Sequence, residues 1–142
     1  PVAVRWEVAE DETFAKIVQK GDATAAAALA HSVHVEVDGL APDTWYWYRF
    51  HAGDAVSPVG RTRTFPAPGA TSQRMRFAFA SCQHFEDGLY TAYDAMARDD
   101  PDFVAFLGDY IYEGAGRAGL VRRHVGPKLN TLADYRVRYA QY

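Results

Sequence analysis

The 142-residue chain has one cysteine, Cys82, and two methionines, Met75 and Met96. A single cysteine excludes an internal disulfide framework. No apolar run approaches the ~20 residues that a membrane-spanning helix requires. An excess of one charge sign is also missing, since 15 Lys and Arg face 18 Asp and Glu, a formal net of −3. That balance excludes a nucleic-acid binder built on a strongly basic surface. No internal repeat is present and no secretory signal opens the chain. It begins directly on the strand-like Pro1-Val-Ala-Val-Arg-Trp6, so a natural N-terminus is expected further upstream.

What is present changes character near the middle. The apolar fraction of 49% is that of a folded globular protein. Residues 1–66 read as β structure. Val2, Val4, Trp6 and Val8 alternate with Ala3, Arg5 and Glu7, a period of two. Val33, Val35 and Val37 repeat that pattern, and Phe14–Val18 and Ser57–Phe65 are further strand candidates. Ala23–Ala30 is helical by alanine content alone. Gly39 and Pro42-Asp43 mark a turn before the aromatic strand Trp45–Phe50. The spacing Leu40, Pro42, Thr44, Tyr46 resembles the corner of fibronectin type III domains, where a tyrosine hydroxyl ties a strand to the turn before it. A linker rich in Pro, Gly and small polar residues follows, over 67–75.

From residue 76 the pattern is α/β. Met75–Ser81 reads as a buried strand. A helix capped by Asp87 and showing Leu89, Tyr93 and Met96 on one face comes next, ended by Pro101. Phe103–Leu107 reads as a second, fully buried strand. Strand, helix, strand over this length is a βαβ unit with parallel strands. Cys82 follows the first strand and Asp109 the second, so both emerge at the carboxyl edge, where open α/β sheets bind ligands. Tyr112 lies three residues beyond Asp109, and a helical turn there would put the two on one side. Tyr110 then points into packing. Thiolate, carboxylate and phenolate are anionic donors, and the set suits a trivalent ion better than zinc, which takes more Cys and His. The bland alternatives are a small buried Cys and a capping Asp. The basic stretch Arg117–Lys128 reads as a solvated glycine-rich loop or a phosphate attractor, and His84 as a loop residue. Leu132, Tyr135, Tyr139 and Tyr142 have the spacing of a helix packed on the sheet.

Phe79-Ala-Ser-Cys-Gln83, Gly88-Leu-Tyr-Thr-Ala-Tyr93, Asp100-Pro-Asp-Phe-Val104 and Leu107-Gly-Asp-Tyr-Ile-Tyr-Glu113 resemble the alkaline phosphatase D family of metallophosphoesterases. Val33–Phe50, Ser57–Thr64 and Leu132–Tyr139 look like other parts of the same family. The resemblance implies a fibronectin type III-like β-sandwich over 1–66, followed at 76–142 by the first βαβ part of a calcineurin-like metallophosphatase fold. It implies hydrolysis of phosphomonoesters or phosphodiesters by a metal-bound hydroxide, outside the cytoplasm, periplasmic or secreted. It gives Asp109 the catalytic, metal-bridging role, makes Cys82 and Tyr112 ligands of iron(III), and adds calcium as a second cofactor. The family's downstream Trp-Asp-Asp-His-Glu-type motif and its later Asn and His ligands have no counterpart before Tyr142. The remaining active-site residues are therefore expected from a further C-terminal part or from another chain.

Two rivals are weaker. A cysteine-dependent phosphatase needs an arginine six positions after its nucleophile, and Gly88 stands there. A non-catalytic binding or adhesion module built on the β-sandwich accounts for residues 1–66 but ignores the acidic strand end at Asp109.

Overall fold

A computed structural model describes residues 1–71 and 74–142. The chain divides into two compact units, Pro1–Gln73 and Arg74–Tyr142. The linker expected over 67–75 includes Ser72 and Gln73, which lie outside the described residues.

The first unit is an antiparallel sheet of β1 (Val2–Ala9), β2 (Ile17–Ala25), β3 (Trp45–Ala52), β4 (Ala55–Val56) and β5 (Gly60–Arg63). β1 lies between β2 and β3, and the short β4 and β5 pair with successive parts of β3. The period-two pattern of β1 sorts its side chains only in part, since Val2 is exposed and Glu7 is buried. Val4 and Val8 are buried on one face. On the other face Glu7, directly opposite Arg49, is only 8% exposed. It is tolerated there because Arg49 donates to it at 2.8 Å and His51 Nε2 lies 3.2 Å away.

Three expectations in this unit need correction. Val33, Val35 and Val37 form no strand. Their alternation is real, since they are half-buried between exposed neighbours, but the segment lies over the sheet and not along an edge. Val35, Val37 and Leu40 line a pocket with Trp6, Val8, Tyr48 and Phe50 of β1 and β3. The second strand is Ile17–Ala25 and not Phe14–Val18, because Phe14 adopts a positive φ of 58° within the turn that precedes it. The alanine run yields a strand end and one 3-10 turn, Ala27–Leu29, in place of a helix. Pairing of Ala23 and Ala25 with Val4 and Val2 overrides alanine's helical propensity there.

The expected tyrosine corner is formed. Tyr46 is 2% exposed and its hydroxyl accepts the Ala41 N–H at 2.9 Å. Thr64 Oγ1 closes the same turn, donating to the Ala41 carbonyl and accepting the Thr44 N–H. Tyr46→Phe keeps the ring but loses this bond, and should cost about 1 kcal/mol of unfolding free energy. Chemical denaturation measures it, and an unchanged midpoint would mean that the corner is held by packing alone.

The second unit contains β6 (Phe77–Ala80), α1 (Thr91–Arg98), β7 (Phe103–Phe106) and α2 (Leu132–Tyr139). β6 and β7 pair in parallel, with Phe77 opposite Phe103 and Ala80 opposite Phe106. α1 begins at Thr91, so Asp87 is not its cap and Leu89 lies outside it, 65% exposed. Asp87 instead binds the Arg117 guanidinium at 2.9 Å. The two strands are not buried as their composition predicts. Phe77 and Phe79 are 60% and 66% exposed, and Leu107 67%. Among the described residues two strands pair in this sheet, and no further element covers these side chains.

α2 starts with a capping box, in which Thr131 and Asp134 satisfy each other's backbone N–H groups. Its Arg138 is fully buried and donates to the carbonyls of Tyr112, Gly114 (3.0 Å) and Pro127 (3.4 Å). The arginine ties α2 to the chain leaving Asp109. Replacing it by Met strands three carbonyls and should destabilise the unit by roughly 3 kcal/mol or more, measurable by thermal unfolding. A variant as stable as the parent would remove Arg138 from the framework.

Candidate metal centre

The carboxyl ends of β6 and β7 stay in step beyond the last ladder pair. Leu107 N–H donates to the Ala80 carbonyl at 2.8 Å, and Cys82 N–H donates to Gly108 at 3.1 Å. This holds Cys82 beside Asp109. Both residues then turn sharply, with positive φ of 56° and 54°. Left-handed backbone is disfavoured for residues with a Cβ, least so for Asp, and such strain gathers where a side chain must be presented.

The turns bring three side chains to one point. Cys82 Sγ lies 3.4 Å from Asp109 Oδ2, and the Tyr112 hydroxyl donates to the same oxygen at 3.2 Å. No helical turn is needed for this, contrary to the sequence expectation, because the turn at Asp109 itself returns the chain. Burial, the Cys82 thiol and the Asp109 carboxylate together push the Tyr112 phenol up to about 12. Without a cation, the phenol therefore keeps its proton and gives it to Asp109 as a hydrogen bond. Tyr110 turns away, as expected, among the rings of Phe106, Tyr139 and Tyr142 at 5.5, 5.2 and 5.7 Å.

The donor chemistry fits a metal ion. Sulfur, carboxylate oxygen and phenol oxygen converge, and two of them point protons at the third, the arrangement a cation would replace. Among the described residues no three His, Cys, Asp or Glu side chains gather in a metal-holding group. This cluster has only two of those types, with a phenol as the third donor.

The structure adds residues that the sequence reading passed over. Glu86, 1% exposed, sits four residues beyond Cys82. Its Oε1 accepts the backbone N–H of Arg117 (2.8 Å) and of His124 (3.1 Å), and its Oε2 accepts Arg117 Nε (3.3 Å). The basic stretch Arg117–Lys128 is thus pinned at Arg117 and His124, not simply solvated. His84, read as a loop residue, lies with its ring 4.9 Å from that of Tyr112. The missed signal was an acid shortly after the Cys82 strand end together with basic residues downstream. Nothing in periodicity joins them.

Burial alone would raise the Glu86 carboxyl, but the His124 and Arg117 N–H groups and the Arg117 side chain hold it at about 2, below its ordinary 4.5. As pH falls, the unfolded chain therefore takes up the proton first. The stabilisation is complete above the unfolded value and is lost as pH drops through the folded one. Urea midpoints of the parent and Glu86→Gln proteins should converge between about pH 5 and pH 2, and a constant gap would contradict this.

A family profile described as "PhoD-like phosphatase, N-terminal domain" matches residues 1–66, and one described as "PhoD-like phosphatase" matches residues 77–142. The chain belongs to the PhoD-like phosphatase family. It is 56% identical over 146 aligned residues to alkaline phosphatase D of Bacillus subtilis (strain 168), covering 99% of this chain and 25% of that protein. Purple acid phosphatase 23 of Arabidopsis thaliana is 32% identical over 83 residues, 56% of this chain and 18% of the relative. A solved structure described as "Structure of PhoD" superposes with a TM-score of 0.92 at 55% identity, over 99% of this chain and 28% of that one. The chain thus spans about a quarter or less of the curated relatives it matches. The first unit is mainly β and the second carries two short helices, in keeping with the PhoD structure.

Proposed function

We propose that this chain carries the N-terminal β domain (1–66), linker (67–75) and opening of the catalytic domain (76–142) of a metal-dependent phosphatase. The proposed substrates are phosphomonoesters, phosphodiesters or both. In this reading residues 1–66 make up a fibronectin type III-like β-sandwich, and residues 76–142 form the first βαβ part of a calcineurin-like metallophosphatase fold. The carrying observation is the convergence of Cys82, Asp109 and Tyr112 on one oxygen at paired parallel strand ends. Similarity to alkaline phosphatase D and to purple acid phosphatase 23 supports the phosphatase reading.

Each residue has a distinct task. Cys82 and Tyr112 would hold iron(III) through the thiol sulfur and the phenol oxygen. Asp109 would hold the metal centre with its carboxylate, whose oxygens also suit calcium, an oxygen-seeking ion. When bound, the metals would neutralise phosphoryl charge and lower the pKa of water. Three anionic donors at one point would offset part of the charge of a trivalent ion. No serine nucleophile is required, and Cys82 acts as a ligand. The groups that complete the site come from residues outside 1–142, in the same chain or another. We place the enzyme in the periplasm or outside the cell. Metal analysis of the whole protein, with mono- and diester hydrolysis assays, tests the proposal. It predicts bound iron and calcium with turnover that chelation removes, and metal-free turnover would overturn it.

A further inference from the structure

Glu86 reaches the candidate centre without touching it. It fixes the Arg117 guanidinium through Oε2, and Arg117 Nη2 in turn lies 3.2 Å from His84 Nε2 and 2.9 Å from Asp87 Oδ1. The His84 ring lies 4.9 Å from the Tyr112 ring, tilted by 32°. The same carboxylate ties down the backbone at Arg117 and His124. Neighbouring main chain adds to the clamp, because Arg122 N–H donates to the Glu86 carbonyl at 3.3 Å and Arg122 Nε to the Phe85 carbonyl at 2.8 Å. A carboxylate buried to this degree is kept only where its partners are fixed.

We propose that Glu86 is a positioning residue for the metal centre, acting through Arg117 and His84 to set the orientation of the Tyr112 phenol. The inference rests on the reading of Tyr112 as a ligand. Groups that orient a ligand usually change metal affinity or activity by about 10- to 100-fold when removed. The route is specific, because the two carboxylate oxygens divide the work. Oε1 holds the backbone, and Oε2 faces the Arg117 side chain at 3.3 Å and, further off at 3.6 Å, His124 Nδ1.

That division supplies the test. Glu86→Gln in the whole protein can keep an oxygen toward the two backbone N–H groups while presenting an NH2 group to Arg117 Nε. The Arg117 and His124 amides should stay protected in hydrogen exchange. Iron affinity should fall about 10-fold and kcat by a similar factor, with KM little changed. Adding Arg117→Ala to the Glu86→Gln protein should cost little more, because both changes break one route. Parent-like iron affinity and kcat in Glu86→Gln would overturn the proposal, as would additive effects in the double variant. Tyr112→Phe, run alongside, separates the two readings. If that variant binds iron like the parent, the ligand reading fails and the positioning role falls with it. If it loses iron while Glu86→Gln does not, the positioning role alone is wrong.

Discussion

Asp109→Asn in the whole protein should lower phosphate-ester hydrolysis by about 10³-fold or more while leaving the fold intact. A bound cation contributes several kcal/mol of charge stabilisation to phosphoryl transfer, and each ~1.4 kcal/mol is a factor of ten. Asp109 is exposed, so the substitution removes no core volume. Its turn at φ 54° is one that Asn also accepts. The change therefore deletes an anionic donor and little else. Asn keeps a side-chain oxygen that can accept from Cys82 and Tyr112, so the link between the two strand ends is retained. Circular dichroism and thermal unfolding should stay near those of the parent. Near-normal turnover with full metal occupancy would reduce Asp109 to a turn residue.

Tyr112→Phe should remove a visible absorption band and most of the bound iron. A phenolate on iron(III) gives a charge-transfer band that calcium, magnesium and zinc do not, so colour reports on one bond. The ring stays, and with it the packing against His84. The free phenol is pushed up to about 12 by burial, by Cys82 and by Asp109. Cys82→Ser should shift the band, since the thiolate is the other charge donor. Tyr110→Phe should leave it nearly unchanged, because that ring packs among Phe106, Tyr139 and Tyr142. Unchanged colour and iron content in Tyr112→Phe would exclude phenolate ligation.

The parts legible in the sequence were those set by local periodicity and by strand-end placement. Alternation gave β1 and its inward valines, and Leu40-x-Pro-x-Thr-x-Tyr46 gave the corner that the Tyr46 hydroxyl closes. The order of β6, α1 and β7 put Cys82 and Asp109 at one edge without any knowledge of their contact. Periodicity was silent on long-range pairing. The alternation of Val33 to Val37 says which side faces the sheet but not whether a partner strand exists. Apolar content in Phe77–Ala80 invited a buried strand, yet burial depends on what else packs there. Glu86 and Arg138 were illegible for a different reason. Each is a charged residue buried by partners far along the chain, Glu86 by Arg117 and His124 and Arg138 by Tyr112, Gly114 and Pro127. A lone charge in a sequence reads as surface until those partners are known.

The most direct test of the metal centre is anomalous diffraction at the iron edge from crystals of the whole protein. A peak within bonding distance of Cys82 Sγ, an Asp109 carboxylate oxygen and the Tyr112 phenol oxygen is the expected result. An iron peak bound elsewhere, with Cys82 and Tyr112 still hydrogen-bonded to an unligated Asp109, would contradict the account.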